Sequence, residues 1–160
     1  MRNLYLLRHA KSSWDEFLLQ DFDRPLAVRG IRDASLMGEL FQSKNIKLDV
    51  VISSPSKRTT ETIEHFFGSD KPDVIFEKSL YLASVEDILQ QIYDLDVGLK
   101  SVMFVGHNPS MHSLTEYLIS KHLTKFPTCA LANITVKDSW ATVKSGCGRL
   151  NFFKKPKELR

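Results

Sequence analysis

The sequence predicts a three-layer α/β/α fold built on a mostly parallel sheet, and three observations carry that prediction. Asn3-Leu4-Tyr5-Leu6-Leu7 is an apolar run with no hydrophilic face, the pattern of a strand covered on both sides. Two further runs of the same kind, Val50-Val51-Ile52 and Val102-Met103-Phe104-Val105, recur later in the chain. The stretches between them return their apolar residues at the helical period, so that strands alternate with helices.

Taken in order, the first strand ends on Arg8 and His9 and gives way to an irregular polar segment from Ala10 to Leu26. A connection of that length in a compact domain is usually either functional or mobile. From Ala27 to Ser43 the apolar residues Ile31, Ala34, Leu36, Met37, Leu40 and Phe41 predict one amphipathic helix, with Arg29 and Arg32 solvated on its face. Leu48 to Ser53 reads as the second strand. Ser54-Pro55 then opens a helix to Phe67, with the proline early, where its missing N–H does no harm. Asp73 to Phe76 is a short strand, Leu80 to Ser84 a loop, and Ser84 to Leu95 a helix, with Ser84 capping and Asp87 in the first turn. The fourth strand is Ser101 to Val105. A helix from Pro109 to His122 follows it, turning Met111, Leu114, Leu118 and Ile119 inward. Ala130 to Lys137 and Trp140 to Phe153 alternate as two closing strands, an antiparallel edge pair.

At 160 residues the chain is expected to form one domain, 1–160, that needs no disulfide or metal to hold it. A formal charge of +3 is too small for a protein that tracks nucleic acid, although it can help draw in phosphorylated substrates. The basic run Lys154-Lys155-Pro156-Lys157 reads as a solvated tail. Cys129 and Cys147 are the only cysteines, and no Cys-x-x-Cys spacing or secretory signal accompanies them, so a reduced, cytoplasmic setting is expected. No apolar run approaches the roughly twenty residues of a membrane span.

In a sheet of this kind ligands sit beyond the carboxyl ends of the strands. Three strand ends offer chemistry there: Arg8 with His9, Ser53-Ser54-Pro55-Ser56-Lys57-Arg58, and Gly106-His107-Asn108-Pro109. Two guanidinium groups suit the oxygens of a phosphoryl group, which carries about 1.5 to 2 negative charges near neutral pH. Imidazole, with an ordinary pKa of about 6.5, is largely neutral there and offers a ring nitrogen for attack. His65, His112 and His122 belong to no motif and read as surface or packing residues. No paired His, Cys or carboxylate spacing supports a metal site.

Arg-His-Ala after the first strand, Ser-Ser-Pro-x-x-Arg-x-x-x-Thr from Ser53 to Thr62, and Gly-His-Asn-Pro from Gly106 to Pro109 together resemble the histidine phosphatase superfamily. The segment Asp21-Phe22-Asp23-Arg24-Pro25-Leu26 with Gly30, and Leu80-Tyr81-Leu82-Ala83-Ser84, resemble its short SixA-type branch of phosphohistidine phosphatases. The resemblance implies a phosphoglycerate-mutase-like fold. It implies His9 as a nucleophile that forms a phosphohistidine, Arg8 and Arg58 as the phosphoryl clamp, and His107 as a second imidazole on a phosphoryl oxygen. It also suggests Arg24 as a wall of the pocket, against which stands a plain salt bridge to Asp21 or Asp23. Ala10 stands where the superfamily usually has glycine, a change within the branch's range.

Larger relatives that cleave alcohol esters protonate the leaving oxygen with a carboxylic acid in a sequence context this chain lacks. Glu77, Glu86 and Asp87 are the nearest acids, each with a plainer reading as a surface or helix-start residue. An alkoxide leaves poorly without such a donor, whereas a phosphorylated imidazole needs less help. The expected substrate is therefore phosphohistidine on a protein, such as a phosphorelay domain or phosphotransfer carrier, with phosphate as product and no cofactor. A phosphatase for small phosphomonoesters and a non-catalytic phosphate-binding module are the alternatives.

Overall fold

The computed structural model describes residues 1–160. Six strands, β1 (Arg2–Arg8), β2 (Val50–Ser53), β3 (Val74–Phe76), β4 (Ser101–Gly106), β5 (Leu131–Val136) and β6 (Gly148–Lys154), form one mixed sheet in the order β3-β2-β4-β1-β5-β6. β1 to β4 are mutually parallel, while β5 runs antiparallel to both β1 and β6. The helices are α1 (Val28–Ser43), α2 (Lys57–Phe67), α3 (Val85–Tyr93) and α4 (Ser110–Ile119).

Alternation along β1 divides the core. Tyr5 and Leu7 face α1 and α2, packing with Ala34, Met37, Phe41, Ile63 and Phe66. Leu4 and Leu6 face the other way, onto Ile88 and Ile92 of α3 and Leu114 and Leu118 of α4. A strand buried on both faces has to be apolar there, and the centres of β1 (4–7) and β4 (102–105) are. The crossovers place α1 and α2 on one face and α3 and α4 on the other, the expected three layers.

Several details differ from the sequence expectation. The buried side of α1 runs through Gly30, Asp33, Ala34, Met37, Gly38 and Phe41, leaving Ile31 exposed. Two glycines let the backbone approach so closely that a Cβ at Gly38 would lie 1.9 Å from the Phe66 carbonyl oxygen. Helical contact is therefore made by backbone where the apolar period pointed to side chains. Ser56, rather than the Ser54-Pro55 pair, caps α2, its hydroxyl accepting from the Thr59 N–H. Ser84 and Asp87 close a reciprocal capping box on α3, as the spacing predicts. The last strand begins only at Gly148, because Trp140–Thr142 is a 3-10 turn that buries the Trp140 ring in the core. The basic run is not a free tail. Lys154 ends β6, Pro156 is buried, and Arg160 forms a two-pronged ion pair with the fully buried Asp33 at 3.0 and 2.8 Å. No helix is long and apolar enough to cross a membrane.

Candidate active site

The sheet order explains why distant motifs meet. β4 lies between β2 and β1, so the residues that leave these three strands at their carboxyl ends are neighbours. His9 is held by its N–H to the Gly106 carbonyl (3.0 Å) and by its carbonyl, which accepts from Cys129 (3.0 Å). The N–H of Ala10 donates to the Thr62 hydroxyl at 2.9 Å, and that hydroxyl donates to the Arg58 carbonyl at 2.6 Å. The threonine that closes the Ser53–Thr62 motif thus ties the loop after His9 to the turn of α2 that carries Arg58.

His9, Arg58 and His107 are almost wholly buried, and the two imidazole rings lie 5.2 Å apart, centroid to centroid. Nδ1 of His9 is 2.7 Å from the Ala10 carbonyl oxygen, which can only accept, so Nδ1 carries the proton and Nε2 keeps its lone pair. Burial, reinforced by His107, Arg58 and Arg8, pushes its pKa down to about 3, so the ring is neutral at ordinary pH. Arg58 donates to Nδ1 of His107 at 3.3 Å, which leaves Nε2–H of His107 to donate to the Ser54 hydroxyl at 2.9 Å. Burial and then Arg58 lower that histidine to about 4.

Arg8 is half-buried. It donates to the Phe126 carbonyl at 3.0 Å, and its Nε–H is buried without a partner. Burial and the neighbouring Arg58 both disfavour its charge. Two guanidinium groups close enough to oppose one another, beside two neutral imidazoles, make a cluster suited to an anion.

Asp21 is the carboxylate at this site, and the sequence raised it only as a partner for Arg24. Its Oδ2 accepts from Arg58 (2.9 Å) and from the Tyr81 hydroxyl (2.5 Å), and its Oδ1 accepts from Arg24 (3.0 Å). Its backbone carbonyl takes a further bond from Arg58 at 2.7 Å. Burial pushes this carboxyl up, but the bonds from Tyr81, Arg58 and Arg24 outweigh it and hold the pKa at about 2. The Tyr81 ring meets His107 edge-on at 5.5 Å. Asp21 and Tyr81 lie in the two segments with branch-type resemblance, which was the one signal available for them.

Arg24 is buried, bonded to Asp21, to the Ser12 hydroxyl (2.6 Å) and to the Ser13 carbonyl (3.1 Å), with its guanidinium stacked on Trp14. Of the two carboxylates considered for it, Asp21 is its partner. Asp87 is engaged in the α3 cap, and Glu86 is exposed in the first turn of that helix. His122 pairs with Glu116, His112 bonds the Leu123 carbonyl, and His65 is exposed on α2. No group of three His, Cys, Asp or Glu side chains is arranged to hold a metal ion.

The chain is similar to known proteins over most of its length. Residues 4–81 match the sequence pattern of the histidine phosphatase superfamily (branch 1). An uncharacterized protein of Mycobacterium tuberculosis is 32% identical over 161 residues, covering 94% of this chain and 100% of that protein. The crystal structure of SixA from Agrobacterium tumefaciens is 29% identical and superposes with a TM-score of 0.83 over 97% of this chain and 98% of that one. The protein histidine phosphatase SixA bound to tungstate shares the fold at 22% identity, with a TM-score of 0.84 over 99% of each chain. From its motifs, its phosphoglycerate-mutase-like fold and these likenesses, the chain belongs to the histidine phosphatase superfamily, in its SixA-type branch.

Proposed function

We propose that residues 1–160 act as a single phosphatase domain that hydrolyses phosphohistidine on a protein through a phosphohistidine intermediate on His9. The neutral Nε2 of His9 attacks phosphorus, Arg8 and Arg58 clamp the equatorial oxygens, and His107, fixed between Arg58 and Ser54, lines the pocket. Arg24 walls the pocket from the loop side. Water then releases phosphate from His9. No cofactor takes part.

The observation that carries the substrate reading is the state of Asp21. A carboxyl held at about 2 is ionised at neutral pH and has no proton to give an alkoxide, so the site is poorly equipped for alcohol esters. A phosphorylated imidazole can leave without that help. The substrate protein would be a phosphorelay domain or phosphotransfer carrier, and the two free cysteines suit a reducing compartment such as the cytoplasm.

Phosphohistidine protein and an aryl phosphate presented to wild type and to His9→Ala test this reading. Wild type should favour the phosphoprotein and yield an acid-labile phosphoenzyme, and His9→Ala should show neither turnover nor labelling. Equal turnover by the two proteins would remove His9 as nucleophile, and preference for the aryl ester would favour a small-molecule phosphatase.

A further inference from the structure

Asp21 is far more open to solvent than the two arginines that bind it. Its side chain is 42% exposed, whereas those of Arg58 and Arg24 are 5% and 7% exposed. A leaving group that is part of another protein needs a group reachable from solvent, which Asp21 is and the buried His9 is not. A carboxylate offers about four acceptor positions. Three are filled, by Arg58 and Tyr81 on Oδ2 and by Arg24 on Oδ1, so one position on Oδ1 remains available toward solvent. Three donors from three separate segments fix the carboxylate, so its orientation does not depend on the ligand.

Resting on the phosphohistidine reading above, we infer that the free position on the Asp21 carboxylate accepts the ring N–H of the substrate's phosphorylated imidazole, which makes Asp21 a specificity-determining residue. The chemistry balances without a proton donor. As the P–N bond breaks, the phosphoryl group passes to Nε2 of His9 and the bonding electron pair stays on the substrate ring nitrogen. A ring that carries a proton on its far nitrogen leaves as neutral imidazole. An ionised carboxylate beside that N–H stabilises the protonated ring, whereas an ester oxygen offers no N–H and gains nothing from it. The missing general acid and the ionised Asp21 become two aspects of one selection device.

The test compares three probes on wild type and Asp21→Asn: phosphoimidazole, its analogue methylated on the far nitrogen, and p-nitrophenyl phosphate. Each kcat/KM is divided by the probe's spontaneous hydrolysis rate. A hydrogen bond to a charged group corresponds to roughly a tenfold preference of wild type for the N–H probe over the methylated one. Asp21→Asn keeps an acceptor of the same shape for Arg58 but lacks the charge, and should lose most of that preference. Wild type that cleaves both imidazole probes equally overturns the inference without recourse to any variant. A uniform loss over all three probes in Asp21→Asn also overturns it, because Asp21 would then only brace Arg58. If wild type cleaves the aryl ester but not phosphoimidazole, the phosphohistidine reading itself fails.

Discussion

The two ends of the sheet are built differently. At the carboxyl end the chain buries His9, Ser53, Ser54, Ser56, Arg58, Thr59, Thr62, His107 and Ser110, nearly all bonded to one another or to backbone. At the amino end, where α1 and α2 finish, an open groove of about 540 Å³ is lined by Phe41, Ile46, Leu48, Phe67 and Pro72 together with the polar Gln42, Asn45, Lys47 and Asp70, which form no ion pair there. Burying polar groups without partners costs about 1–3 kcal/mol each. The carboxyl end therefore persists only as a connected network, whereas the polar groups of the amino end, such as Asp49 on the Lys100 and Ser101 N–H groups, are exposed and bonded locally.

The largest test of this contrast is acid. Both site histidines bind a proton less readily when folded than in the unfolded chain, where their pKa is about 6.5. Unfolding therefore takes up protons, so their contribution to stability is complete above about pH 6.5 and is lost as pH falls toward 4 for His107 and toward 3 for His9. Denaturant titrations should show stability falling by up to about 1.4 kcal/mol per pH unit for each histidine. His107→Gln should flatten that slope. An unchanged slope would mean that the network does not exclude protons as its burial implies.

Matched substitutions at two points on α1 come next. A Cβ on Gly30 would meet the Lys11 carbonyl oxygen at 2.1 Å, two residues from His9, and one on Gly38 would meet Phe66 near the end of α2. Gly30→Ala and Gly38→Ala should each lose about 3 kcal/mol of stability, the upper part of the overpacking range. Only Gly30→Ala should also lower kcat, by about a hundredfold, because it displaces the loop that follows His9. Comparable kcat values for the two variants would erase the distinction between the ends.

The smallest expected effect concerns the buried Asp33. Arg160→Ala leaves that carboxylate with Arg29 alone, at 3.7 Å, and should destabilise by about 2 kcal/mol, below the usual range for a broken buried pair because Arg160 is partly exposed. Its kcat/KM should stay at the wild-type value, since Asp33 touches none of the site side chains. Thermal denaturation and steady-state kinetics on the same preparation check both parts.

The sequence by itself determined the alternation of strands and helices, the double-sided burial of β1 and β4, and the placing of Arg8, His9, Arg58 and His107 just beyond strand ends. Each of these is written locally, in an apolar period or in a motif within a few residues of a strand end. Other features were settled only by the tertiary structure. The sequence had no means of indicating that α1 packs through Gly30 and Gly38, that β5 pairs with β1 as well as β6, that Arg160 reaches Asp33, or that Asp21 joins Tyr81 and Arg58. Such contacts join residues far apart in the chain, and no periodicity encodes which loops will face each other once the sheet closes. The ionised carboxylate at the mouth of the site, which gives the substrate reading its chemical basis, belongs to that second group.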